Sequence, residues 1–162
     1  MAELYSISEI FDKRILRIPD FQRGFSWGER QLDDFWDDLD KVPENKIHYT
    51  GLLTIEKVKI LTNNIGKWND AYFLLNSDDN VKYLPFYIID GQQRITTAII
   101  LISSIIESFD DNIIIDGLDK KAIFTKYIKV ESSGNKTFIF GYEKDDPSYE
   151  FLKAKIYKEN NA

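Results

Sequence analysis

The residues best suited to chemistry are Asp90-Gly91-Gln92-Gln93-Arg94, set between the apolar run 86–89 and a long apolar segment that begins at Ile95. A strand that turns at a glycine straight into a helix presents the first helical N–H groups. These have no internal partner and carry the positive end of the helix dipole. Gly91 has no Cβ, so backbone and ligand can approach closely. Arg94 adds a cation whose forked donors suit phosphate oxygens. Together these features describe an anion site with phosphate as the natural guest. Asp90 would repel phosphate unless it holds Mg2+, orients a water or receives hydrogen bonds. The alternative is a tight turn in which Asp90 caps the helix and Arg94 is a surface cation. Gln92 and Gln93 also carry two readings. An amide can orient attacking water without titrating, or it can hydrogen-bond the loop around Arg23 as scaffold.

A second segment, Ile18-Pro19-Asp20-Phe21-Gln22-Arg23-Gly24-Phe25-Ser26-Trp27, combines a stiff proline, an amide, an arginine and three aromatics. Such a loop can stack a base and hold a phosphate. Equally, Phe21, Phe25 and Trp27 can pin the following helix onto the core. Asp33, Asp34, Asp37, Asp38 and Asp40 form an acidic cluster in which the i,i+4 pairs Asp34/Asp38 and Asp33/Asp37 could share a cation, but which reads chiefly as a solvated helix face. His48, the only histidine, reads as a partly buried structural residue rather than a base.

The elements that must position these residues follow from spacing. Ser6 and Glu9 form a capping box for a short helix through Phe11, and 14–18 is a strand closed by Pro19. Ser26 and Glu29 match a second capping box. Leu32, Phe35, Trp36, Leu39 and Val42 then recur at helical spacing, which predicts an amphipathic helix over 28–42 with this stripe in the core. Residues 48–59 and 71–75 read as two hairpin-paired strands, 76–80 as a loop and 86–89 as a buried strand. The segment 95–109 reads as a helix apolar on nearly all faces, which hints at burial by further chain or a partner. A hairpin pairs 127–130 with 137–140, and a last helix over 148–158 is capped by Ser148. The expected class is α+β.

Composition narrows the function. Lys plus Arg is 21 and Asp plus Glu is 27, a net charge of −6, which argues against tight autonomous DNA binding. Lys13, Arg14, Arg17, Arg23 and Arg30 are the only early basic cluster. With no cysteine and one histidine, disulfide scaffolds, thiol nucleophiles and two-histidine sites are excluded within the chain. No signal peptide is expected at the N-terminus, and 95–106 is too short and too interrupted by Thr and Ser to span a bilayer. The expected setting is a cytoplasmic single domain over 1–162.

The segment 90–94 followed by Ile95-Thr96-Thr97 resembles the D-G-Q-Q-R-x-T-T signature of the GmrSD-type restriction endonuclease N-terminal domain. Ile18-Pro19-Asp20-Phe21-Gln22-Arg23 with Phe25-Ser26-Trp27 is similar to that family's I-P-x-[YF]-Q-R-x-[YF]-x-W signature. Tyr49-Thr50-Gly51-Leu52-Leu53 resembles its aromatic-x-G segment. The three occur in family order over residues 18–97. Gly24 stands where proline is frequent and Thr50 where an apolar residue is. The resemblance implies a ParB/sulfiredoxin-like mixed sheet with flanking helices. It implies nucleoside triphosphate binding and hydrolysis with Mg2+, coupled to a nuclease in a C-terminal domain or partner chain that restricts modified phage DNA. Arg23, Gly91, Gln92, Arg94, Gln22, Tyr49 and Gly51 would bind the nucleotide. Asp90 and Gln93 would be catalytic, with Asp90 at the metal. The alternative is a non-enzymatic DNA- or protein-interaction module on the same fold.

Overall fold

The computed structural model describes residues 3–77 and 82–159. Its centre is a mixed four-stranded sheet in the order β2-β3-β1-β6, built from β1 (Arg14–Ile18), β2 (Thr54–Lys57), β3 (Leu84–Asp90) and β6 (Phe140–Tyr142). β1 lies between β3 and β6 and runs parallel to both, with Arg17 opposite Tyr87 and Ile18 opposite Tyr142. β2 pairs antiparallel to β3 at the edge. The carboxyl ends of β1, β3 and β6 therefore open on one side, where ligands of open α/β sheets usually sit. With six α-helical segments among the described residues, the class is α+β, as expected. No helix among them is long and apolar enough to cross a membrane.

The short helix α1 (Ile7–Ile10) carries the expected Ser6–Glu9 capping box. The long helix α4 (Gln92–Ser108) follows β3 after one residue and buries Ile95, Ile99 and Ile106. Thr96 and Thr97 are also buried, and their hydroxyls donate to the carbonyls of Gln92 and Gln93 at 2.7 and 2.8 Å, so neither is left unpaired. A second sheet pairs β4 (Lys129–Ser132) with β5 (Asn135–Phe138). Ser133 and Gly134, both at positive φ, make the tight turn between them.

Several expectations are corrected. Residues 71–75 are not a strand. A 3-10 helix (Ile65–Ala71) runs into α3 (Tyr72–Leu75), burying Trp68, Ala71, Leu74 and Leu75. Those positions are three and four apart, the helical period, and β2 pairs with β3 instead. The strand expected over 48–59 shrinks to β2, and Gly51, at φ +111, departs from extended backbone on its N-terminal side. Helix α2 (Glu29–Asp40) starts at Gly28, whose N–H is taken by the Gln31 side chain at 3.0 Å, not at a Ser26 box. No residue of α2 is buried, and Trp36 is 51% exposed, so its apolar stripe is not core.

Two elements were not anticipated, α5 (Lys120–Tyr127) and β6. The last helix is α6 (Pro147–Phe151), capped by Asp146 through Tyr149 N–H at 2.8 Å and continued by a π-helix (Leu152–Ile156). Of the loop expected at 76–80, residues 78–80 lie outside the described residues.

Arg17 does not belong to a surface patch. It is 2% exposed, with its guanidinium donating to the Phe138 carbonyl at 2.9 Å and paired with Asp70 at 3.0 Å. It thus ties the hairpin and the 3-10 helix to β1.

Candidate functional site

Three loops meet where the parallel strands end. β3 delivers Asp90, and Gly91 turns the chain in the left-handed region, at φ 91 and ψ 12, to start α4. A non-glycine residue is strained there, and a Cβ would also lie 3.0 Å from Leu53 Cδ1 and 3.2 Å from the Leu52 carbonyl oxygen. α4 has no side-chain cap. The Asp90 carboxylate instead accepts the N–H of Gly91 at 2.8 Å through Oδ1 and is otherwise exposed. The start of a 17-residue helix therefore keeps its dipole end and uncapped N–H groups toward the loop cluster.

The loop after β1 is stitched to this turn by three amides. Gln22 Nε2 donates to the Ile89 carbonyl at 3.0 Å. Gln92 Nε2 donates to the Arg23 carbonyl at 3.1 Å and Gln93 Nε2 to the Gly24 carbonyl at 3.2 Å. Gln93 Oε1 accepts the N–H groups of Ser26 and Trp27 at 2.9 and 3.3 Å. Gln93 is thus bound at both ends of its amide by backbone. Gln92 Oε1 is buried with no hydrogen-bond partner among the described residues. Ser148 Oγ, past β6, accepts the Phe25 N–H at 2.9 Å. The backbone of the loop is fixed while the Arg23 side chain stays exposed, with no hydrogen-bond or ion-pair partner among the described residues.

The third segment is held by Arg94. Its guanidinium donates to the Leu52 carbonyl and packs against Gly51, where a Cβ would lie 2.9 Å from Cζ. Gly51 is required both by this approach and by its positive φ. Tyr49, two residues earlier, is 66% exposed. The fold therefore brings the turn 90–94, the Gln22–Arg23 pair and the Gly51–Leu52 segment into one cluster.

A charged bridge supports it from the β6 side. Glu143 follows β6, and its side chain is 4% exposed. Its carboxylate accepts the Asp20 N–H at 2.8 Å and the Tyr87 hydroxyl at 2.6 Å, and it pairs with Lys67 at 2.8 Å. Burial pushes the Glu143 carboxyl up, but Lys67, Tyr87 and the Asp20 N–H together outweigh it and hold the group below the usual carboxylate range. Burial first, and then Glu143, push the Tyr87 hydroxyl up to about 12. Sequence reasoning missed Glu143, and no signal could have found it: it lies in no motif, 123 residues from Asp20.

Among the described residues no group of three or more His, Cys, Asp or Glu is arranged to hold a metal ion. On α2, Asp37 pairs with Lys41 at 3.0 Å. His48 is exposed rather than partly buried.

The family model of the GmrSD restriction endonuclease N-terminal domain matches residues 7–162. The chain belongs to that family. No curated protein matches it. The match spans all three motifs that meet in space here. Their shared amides and arginine account for much of the contact between the loops.

Proposed function

We propose that this GmrSD N-terminal domain binds a nucleoside triphosphate with its phosphates at the start of α4, and hydrolyses it to license a nuclease. The nuclease would be a C-terminal domain or partner chain of a cytoplasmic, phage-restricting system that recognises modified DNA. The observation that carries this reading is the glycine-initiated N-terminus of α4, without a side-chain cap, whose Gln92 holds the backbone of Arg23, a residue with an exposed side chain that has no partner among the described residues. An N–H cluster at a dipole end with a free guanidinium nearby is a phosphate cradle. Arg94 would add charge from the far side while keeping its Leu52 contact. Tyr49, exposed beside Gly51, offers a ring on which a base can stack.

Mg2+ fits this arrangement in one way only. It is commonly held by one or two carboxylates together with substrate phosphates and waters. Asp90 has Oδ1 committed to the Gly91 N–H, and its Oδ2, with no hydrogen-bond partner among the described residues, would face such an ion. When bound, the ion would neutralise charge on the transferring phosphoryl group. In hydrolysis water attacks the terminal phosphorus and the bond to the bridging oxygen breaks, giving diphosphate nucleotide and inorganic phosphate. Asp90 would orient the water or the ion. Gln93, bound at both ends of its amide, would act by holding the Arg23 loop in place, and Gln92 by forming the turn.

Calorimetric titration of ATP, GTP, CTP and UTP, with and without Mg2+, tests the reading. Binding that weakens in Arg23→Ala, with turnover lost in Asp90→Asn but metal-free affinity kept, supports it. No binding by any of the four sinks it. The exposed stripe of α2, with Trp36 at 51%, favours a second reading: a protein-interaction module on the same fold, which duplex DNA and nuclease-chain binding assays would separate from the first.

A further inference from the structure

We propose that Glu143 is the positioning residue of the Arg23 loop: its buried carboxylate, clamped by Lys67 and Tyr87, fixes the Asp20 backbone and so aims Arg23 at the start of α4. The geometry is that of a hub. One carboxylate at the exit of β6 accepts a backbone N–H from the exit of β1 at 2.8 Å and a hydroxyl from β3 at 2.6 Å. It also pairs with Lys67 of the 3-10 helix at 2.8 Å. All three parallel strands are thereby tied together, β1 and β6 at their carboxyl ends and β3 at its middle residue. Lys67 closes the ring by reaching Asp20 Oδ2 at 3.2 Å. The Glu143 N–H also donates to the Ile18 carbonyl at 2.9 Å, so backbone and side chain grip both ends of the Pro19 turn. Asp20 lies three residues before Arg23, and Tyr87 three before Asp90.

The chemistry explains why a carboxylate serves here. Three donors converge on two oxygens, and an ionised carboxylate accepts them all, whereas an amide has one acceptor oxygen and adds two donors that face a lysine. A carboxylate 4% exposed is costly unless paired and hydrogen-bonded, and this one is both. The amide stitches from Gln22, Gln92 and Gln93 hold the loop only from the β3–α4 side. Without the Glu143 carboxylate, Asp20 keeps its side-chain pair with Lys67, and the β6 side holds the loop only at its two ends, Ile18 and Phe25; the stretch between them, which carries the exposed Arg23 side chain, gains the added freedom.

The effect on nucleotide affinity rests on the proposed phosphate site; the effect on the loop does not. The test therefore has two arms. In the first, native-state hydrogen exchange is measured on wild type and Glu143→Gln. Amides of residues 20–23 should exchange faster by on the order of tenfold or more, the factor lost with one charge-assisted bond, while those of α4 stay unchanged. Unchanged exchange at 20–23 overturns the proposal. If Glu143→Gln does not fold, Tyr87→Phe, which removes one of the three donors, should accelerate the same segment by a smaller factor, and its failure to do so overturns the proposal equally.

In the second arm, triphosphate affinity is measured for Glu143→Gln, Arg23→Ala and the double variant. A positioning residue that acts through Arg23 weakens binding alone and adds nothing once Arg23 is gone. An equal further loss in the Arg23→Ala background overturns the coupling to Arg23. If wild type binds no triphosphate, the nucleotide reading fails and the exchange arm decides on Glu143 by itself.

Discussion

Replacing Gly51 by alanine tests the joint between the Tyr49 segment and the start of α4. Two penalties follow from the structure. Gly51 sits at φ +111, where an L-residue costs about 1–3 kcal/mol. The new Cβ would lie 2.9 Å from Arg94 Cζ, so the guanidinium must swing away and give up the Leu52 carbonyl. A charge-assisted bond contributes about 1.5–3 kcal/mol when shielded, and less here because Leu52 is 54% exposed. The expected total is about 2–3 kcal/mol, or roughly 5–10 °C in melting temperature for a chain of this size. Urea unfolding with a fitted m-value is the assay. Gly66→Ala is the control: a Cβ there meets nothing within 4 Å, so its change should stay within about 0.5 kcal/mol. The decisive comparison is Gly51→Ala in an Arg94→Ala background, where only the backbone penalty remains and the cost should fall by about 1 kcal/mol. If Gly51→Ala matches the Gly66→Ala control, or costs the same with and without Arg94, the clamp reasoning is wrong.

Trp36→Ala should change stability by about 1 kcal/mol or less in urea unfolding, since the ring is 51% exposed; a loss of several kcal/mol would return α2 to the core. Gln93→Ala should destabilise by about 1–3 kcal/mol, because the Ser26 and Trp27 N–H groups lose their acceptor, and unchanged melting would show that water replaces it. Stability against pH should fall at both ends. Glu143 is held below its ordinary value, so the unfolded chain binds its proton more readily. Its contribution is present above about pH 4.3 and drains away as pH falls through the lower folded value. Tyr87 is held at about 12 against about 10 unfolded, so its contribution is present below about pH 10 and is lost as pH rises toward 12. Melting curves of Glu143→Gln and Tyr87→Phe should flatten the acid and the alkaline limb respectively, and an unflattened limb would remove that residue from the bridge.

Local chemistry made much of this protein legible from its residues. The Ser6–Glu9 box, the β-run ended by Pro19 and the β3–Gly91–α4 turn each rest on contacts within a few residues, where propensity and capping decide the outcome. The clustering of the three motifs was legible only as a family pattern, and the contacts that join them were not. Asp90 could cap α4 or face a ligand; the backbone path gave its oxygen the Gly91 N–H and left the helix uncapped. Gln93 could orient water or brace a loop; the arrival of residues 24–27 beside it committed both ends of the amide.

Periodicity misled where an amphipathic pattern does not say what covers it. The stripe of α2 has the spacing of a core face, yet Trp27 meets only its Phe35 ring, at 6.0 Å between centroids, and none of its residues is buried. It misled also at residues 71–75, an unbroken apolar run too short to tell strand from helix, where Trp68, Ala71, Leu74 and Leu75 are buried at helical spacing. Glu143 shows the limit most plainly. A lone glutamate after a short strand carries no local signal. It becomes a buried hub only when two parallel crossovers bring β1, β3 and β6 side by side, because hydrogen bonding at that range depends on distance in space and not along the chain.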